Sequence, residues 1–191
     1  MTITERITEI SKKYNLSHLG SCYTSADIIN EIYHIKRDSE PFILSCGHAA
    51  LALYCVIENH YGIDAEYLYL KHGTHPNRDE EDKIFCSTGS LGWGLPIAAG
   101  MALSDRKKNV YCLISDGESF EGTMWETGNL MKLYDIDNLK VYCNFNGYSA
   151  YREVDQDMMT RLKIIIPGIK IKQTSVEDYG LQGLSAHYCK L

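Results

Sequence analysis

Clustered positive charge is scarce in this chain of 191 residues. Its 19 Lys and Arg stand against 25 Asp and Glu for a net charge of −6, and no basic run is longer than the three residues Arg106-Lys107-Lys108. Nucleic acid is therefore not expected as a partner, because its binding rests on a concentrated positive surface. Long apolar runs are missing too: nothing approaches the roughly 18 residues that a membrane span requires. The start, MTITER, is charged and has no apolar leader core, so no membrane contact and a cytoplasmic location are expected. Prolines number only 4 against 15 glycines, and 45% of residues are hydrophobic and 23% charged, which excludes disordered and fibrous classes. The seven cysteines include no CxxC pair and have mostly apolar neighbours, which reads as reduced, buried thiols. Repeats, low-complexity stretches and an obvious linker are also lacking, so one domain is expected over residues 1–191.

What is present reads as alternating helices and strands. Apolar residues at Ile3, Ile7 and Ile10 between charged ones predict a surface helix over 2–14, and Ile28, Ile29, Ile32 and Tyr33 predict another over 27–35, with Ser25 as its N-cap. Residues 41–45 read as a short buried strand, 49–60 as a helix stopped at Gly62, and 71–83 as an exposed loop. Small residues over 95–103 predict a helix that lies close to its neighbours. The runs 109–115 and 139–144 lack polar alternation, as expected of strands covered on both faces, and a helix over 122–134 joins them. The expected fold is α/β, a parallel sheet with helices on both faces.

In such sheets ligands sit beyond the carboxyl ends of the strands, and both runs deliver oxygen-bearing side chains there, Asp116 and Asn146. A carboxylate, a carboxamide oxygen and a backbone carbonyl suit Mg²⁺ or Ca²⁺ accompanied by a phosphate, and Gly117 lets the backbone approach an anion. A DG turn after a strand is common by itself; two such turns on adjacent strands are less so. GSLGWG, residues 89–94, reads GxxGxG rather than the dinucleotide fingerprint GxGxxG and follows no strand, and no GxxxxGK[ST] is present. His72 and His75 could form half of a zinc site, but no Cys or further His lies at ligand spacing nearby.

SDGESFEGTMWE (residues 115–126), followed by NFNG (144–147), resembles the thiamin-diphosphate motif of transketolases, with Ser115 where that family usually has Gly. SHLG (17–20), LSCGH (44–48), THP (74–76) and STGSLGWGL (87–95) are similar to further transketolase segments and arrive in the family's order. The resemblance covers about residues 14–148 and implies a thiamin-diphosphate-binding fold. It implies that Asp116, Asn146 and the Tyr148 carbonyl ligate Mg²⁺ or Ca²⁺. His48, Gly89, Leu91, Gly117 and Glu118 would contact the cofactor, and His18 and His75 would reach substrate oxygens, where imidazole suits proton transfer near neutral pH. Glu121 and Glu126, which also suit a first helical turn electrostatically, correspond to the family's interface glutamates. His34, His60 and His72 are assigned to surface or packing.

The resemblance stops there. Residues 154–191 lack the family's VDGHD and HTxKGKG segments, and with them a second diphosphate histidine; His187 is the one histidine after His75. No pyrimidine-binding domain is recognisable, so the chain looks like the amino-terminal subunit of a split transketolase. It would transfer a two-carbon ketol unit between sugars or sugar phosphates only with a partner subunit, in an α2β2 assembly. Half of a 2-oxo acid dehydrogenase or decarboxylase, or a structural subunit without activity, remain as alternatives.

Overall fold

The computed structural model describes residues 1–188 and 190, with His187 described by its backbone alone. The first helix, α1 (Ile3–Tyr14), is set by a capping box: Thr2 Oγ1 accepts from the Glu5 amide at 3.1 Å, and the Thr2 amide donates to Glu5 Oε2 at 2.7 Å. α2 (Leu19–Ile35) begins eight residues before the predicted start, and His18, in the left-handed region at φ 66°, takes the N-cap position. Ser25 is thus no cap but a fully buried residue inside the helix. The first turns of α2, from Leu19 to Ala26, are buried on nearly every side, so they carry no amphipathic period to read.

The chain continues through β1 (Phe42–Leu44), α3 (Ala50–Tyr61), α4 (Ala65–His72), α5 (Gly94–Ser104), β2 (Val110–Ser115), α6 (Gly122–Leu133), β3 (Leu139–Phe145), α7 (Asp157–Ile165) and β4 (Lys170–Gln173). Gly62 caps α3 at φ 72°, as its sequence position predicts. α4 was not expected from the sequence; the loop that follows it is real and is closed by a bridge between Asp79 and Ile84.

All four strands are parallel, in the order β1-β2-β3-β4. Their side chains alternate between two layers, as strand geometry demands. Phe42, Leu44, Tyr111, Leu113 and Tyr142 join the core under α1 to α4, while Ile43, Val110, Cys112, Ile114, Val141, Cys143 and Phe145 join the core under α5 to α7. The expected sheet with helices on both faces is therefore present. The segment after 154, in which the sequence shows no family motif, supplies α7 and the fourth strand. No helix among the described residues is long and apolar enough to cross a membrane. Six cysteines are buried and free; Cys189 and the His187 side chain lie outside the described residues.

Candidate functional site at the carboxyl edge of the sheet

The carboxyl ends of β1, β2 and β3 open on one cleft of about 190 Å³, lined by His18, Ser21, His48, His75, Gly89, Leu91, Ser115, Gly117, Asn146 and Tyr148 to Ala150. Segments that are far apart in sequence meet here because parallel strands all release their chain at the same edge. His18 and His48 stand side by side, ring centroids 5.4 Å apart, the first at the start of α2 and the second on the turn after β1. His48 Nε2 lies 3.0 Å from Ser21 Oγ, and His18 Nδ1 lies 2.9 Å from Ser17 Oγ. His75 packs on Gly89: a Cβ at Gly89 would lie 3.0 Å from His75 Cδ2, so a side chain there would crowd the ring.

The floor is the pair of turns after β2 and β3. Asp116 is fully buried, and its carboxylate accepts from the Gly117 amide at 2.9 Å and from the Gly147 amide at 2.6 Å. Burial pushes its carboxyl up to about 7 despite these donors. Asn146 Oδ1 accepts from the Tyr148 amide at 3.0 Å. A short hairpin follows, closed by a bridge between Tyr148 and Glu153, and Gly117 lets it come near: a Cβ there would lie 3.1 Å from Ser149 Cα and 3.7 Å from the Tyr148 carbonyl oxygen. A carboxylate and a peptide carbonyl thus flank Gly117, with the Asn146 carboxamide on the lining of the same cleft, a donor set that could hold a hard cation beside a phosphate.

Glu118 departs from its expected contact with the cofactor. It does not line the cleft; it is fully buried beneath it, accepting from Ser45 Oγ at 2.5 Å, the Gly92 amide at 2.9 Å and the Ser115 amide at 2.9 Å. The carboxylate ties the ends of β1 and β2 to the 88–93 loop, and burial raises its pKa. Glu121 and Glu126 stand outside the cleft, at the N-cap and on the exposed side of α6. His72 and His75 part company: His72 Nε2 sits 2.7 Å from Asp82 Oδ2 in a buried pair that Lys71 joins, while His75 turns to the cleft. His60 packs as expected, 2.9 Å from Asn30 Oδ1. Ser21, Ser149 and Ala150 line the cleft without having been singled out; Ser21 directly follows the SHLG segment, which was the available signal.

Gly47 carries a second close approach. A Cβ there would lie 2.7 Å from the Gly89 amide nitrogen and 2.7 Å from the Thr88 carbonyl carbon, both backbone atoms with little freedom to yield. Gly47→Ala is expected to displace the 88–91 segment, to cost about 1–3 kcal/mol of stability, and to weaken ligand binding in the cleft. Thermal unfolding and a thiamin diphosphate titration check this; an unchanged melt and affinity would mean that the 88–89 backbone gives way freely.

The structure is thus a parallel α/β sheet whose strand ends open on one cleft lined by histidines and an Asn, with a buried Asp beneath it. Residues 13–163 match the family described as transketolase, thiamine diphosphate binding domain, and the chain belongs to that family. Over 150 residues it is 34% identical to the transketolase of Homo sapiens, covering 68% of this chain and 24% of that protein. Over 142 residues it is 30% identical to a protein of Actinobacillus succinogenes named as one subunit of an apulose-4-phosphate transketolase, covering 64% of this chain and 51% of that protein. The crystal structure of transketolase from Campylobacter jejuni superposes with a TM-score of 0.67 at 22% identity, over 86% of this chain and 32% of that one. The transketolase from Leishmania mexicana gives 0.66 at 19% identity, and both likenesses speak for the fold. The chain thus spans about a quarter of the length of the human relative.

Proposed function

We propose that this chain is the cofactor- and metal-binding subunit of a thiamin-diphosphate-dependent transketolase that moves a two-carbon ketol unit between sugars or sugar phosphates. The observation that carries the reading is the convergence of His18, His48 and His75 with Gly117, Asn146 and Tyr148 in one cleft above Asp116. A divalent cation, Mg²⁺ or Ca²⁺, fits the floor: it supplies the counter-charge that a carboxyl held near pH 7 by burial lacks. Asp116, the Asn146 carboxamide oxygen and the Tyr148 carbonyl would hold it.

Bound here, thiamin diphosphate would act as the electron sink that lets a bond between two sugar carbons break and re-form. The chain's own groups do the rest. His48 donates toward the diphosphate, with Ser21 Oγ fixing its ring. His18 and His75, both on the lining of the cleft, hold substrate hydroxyls and move protons on oxygen. Leu91 supplies an apolar wall, and Gly89 leaves the space that the His75 ring fills.

A second polypeptide with a pyrimidine-binding domain completes the pocket in this proposal, in an α2β2 assembly of the cytoplasm. The relative named as one subunit of a transketolase supports that division. So does α6, the helix that carries Glu126, which leaves Leu130 and Leu133 exposed beside its C-cap Tyr134, an apolar face suited to assembly. The test compares ketol transfer by the purified chain with transfer by the assembly recovered with it from its native source. Activity is expected only in the assembly and only with thiamin diphosphate and a divalent cation. Robust transfer by the chain alone would sink the split reading, and an assembly that neither binds nor needs the cofactor would sink the whole proposal.

A further inference from the structure

Between α2 and β3 lies a buried polar cluster that packing alone does not require. Thr24 Oγ1 donates to the Gly20 carbonyl one turn earlier, at 2.7 Å. Its single proton being spent, the hydroxyl can only accept from everything else. It does so twice: from Asn144 Nδ2 at 2.8 Å and from Asn146 Nδ2 at 3.4 Å. Asn144 is fixed from its other end by Thr174 Oγ1, which donates to Oδ1 at 2.6 Å, and its amide also donates to Ser25 Oγ at 3.1 Å. Thr24, Ser25 and Asn144 are all buried.

A carboxamide has a donor end and an acceptor end of nearly equal shape, and a cation can use only the oxygen. We propose that Thr24 is a positioning residue for the cation site: by accepting from Asn146 Nδ2 it turns Asn146 Oδ1 away from α2, toward the turn that carries Gly147 and Tyr148. The inference rests on the reading of Asn146 as a cation ligand. Its physical content is polarity. The helical i to i−4 bond of Thr24 fixes the direction of one hydroxyl, and that direction acts together with the Tyr148 amide, which donates to Asn146 Oδ1 at 3.0 Å, to set the orientation of the Asn146 side chain. Groups that orient a metal ligand from behind commonly change metal affinity by about 10–100-fold when removed.

Thr24→Val keeps the shape and removes the acceptor. In the native assembly, titration calorimetry with Mg²⁺ at saturating thiamin diphosphate should show the Mg²⁺ concentration for half-saturation rising about tenfold or more. Thr24→Ser should stay within about threefold of the wild type, since it keeps the oxygen. Ser25→Ala removes the other acceptor of Asn144 at the same depth; it should lower the melting temperature and leave the Mg²⁺ requirement unchanged. In an Asn146→Asp background, where both ends are oxygen, adding Thr24→Val should no longer matter.

Several results would overturn the proposal. A wild-type Mg²⁺ requirement in Thr24→Val, while Asn146→Ala loses binding, would reject it and leave the cation site standing. Equal losses in Thr24→Val and Ser25→Ala would make the cluster merely structural. If Thr24→Val fails to fold, a tenfold loss in Thr24→Ser would reject the proposal by itself, because the oxygen is retained. An unchanged requirement in Asn146→Ala would remove the cation reading and this inference with it.

Discussion

Asp116→Asn is expected to make the chain without cofactor more stable at pH 8 while removing Mg²⁺-dependent binding of thiamin diphosphate, by a hundredfold or more in affinity. In the folded chain the Asp116 carboxyl is pushed up to about 7, above its ordinary value of 3.8, chiefly by burial. The folded state therefore binds more protons than the unfolded state between about pH 4 and 7, and stability falls as pH rises through that window and levels off above it. A tenfold change in proton affinity is worth about 1.4 kcal/mol, so the ionised form costs up to about 4 kcal/mol at pH 8. Asn escapes that cost but turns an NH2 toward one of two amide donors, those of Gly117 and Gly147, which returns roughly 1–3 kcal/mol. A net gain of about 2 kcal/mol remains, roughly 4–8 °C in melting temperature at this chain length. The gain should vanish near pH 4, and with saturating Mg²⁺ and cofactor the wild type should become the more stable form in the native assembly. Parallel melting curves in the two proteins across this pH range would refute the argument, and wild-type cofactor affinity in the variant would reject Asp116 as a ligand.

A change at Glu118 should act in the opposite direction. Glu118→Ala leaves three buried donors, Ser45 Oγ and the Gly92 and Ser115 amides, with nothing to accept them. At about 1–3 kcal/mol for each stranded donor, partly offset by relief of the buried charge, the loss should be about 3–5 kcal/mol, roughly 10 °C in melting temperature. The damage should concentrate where the carboxylate ties strand ends to the loop of Leu91. Hydrogen exchange should therefore show the Gly92 and Ser115 amides losing protection well before the helix α3 on the other layer. A uniform loss across both layers, or a loss below about 1 kcal/mol, would deny Glu118 this tying role.

The parts of the molecule that could be read in advance are those whose cause is local. β2 and β3 announce themselves as apolar runs because both of their faces are covered, and the DG and NG turns after them place Asp116 and Asn146 at the ligand edge. The three cleft histidines lie in short segments with fixed neighbours, which is why they could be singled out. What escaped depends on distant partners. The early turns of α2 are enclosed by neighbouring segments, among them the buried Val176 and Ala186, and so show no polar face. β4 is a four-residue edge strand, partly exposed and half lysine, and nothing in KIKQ distinguishes it from a loop. Glu118 looked like a ligand because it sits inside the motif; only the folded chain brings Ser45 and Gly92 to it. Thr24 and Asn144 are separated by 120 residues, and no periodicity links two such positions.

The distribution of the thiols has a use of its own. Six described cysteines sit on different parts of the frame: Cys22 in α2, Cys46 on the turn after β1, Cys55 in α3, Cys86 in the loop before α5, Cys112 in β2 and Cys143 in β3. Burial drives the thiols of Cys46, Cys112 and Cys143 far from ionisation, so none can react while its surroundings stay closed. Each is a shuttered reporter set into a separate panel of the building. The order in which an alkylating reagent finds them is the order in which the panels open, a record of breathing written in covalent bonds that needs neither a fluorophore nor an engineered site.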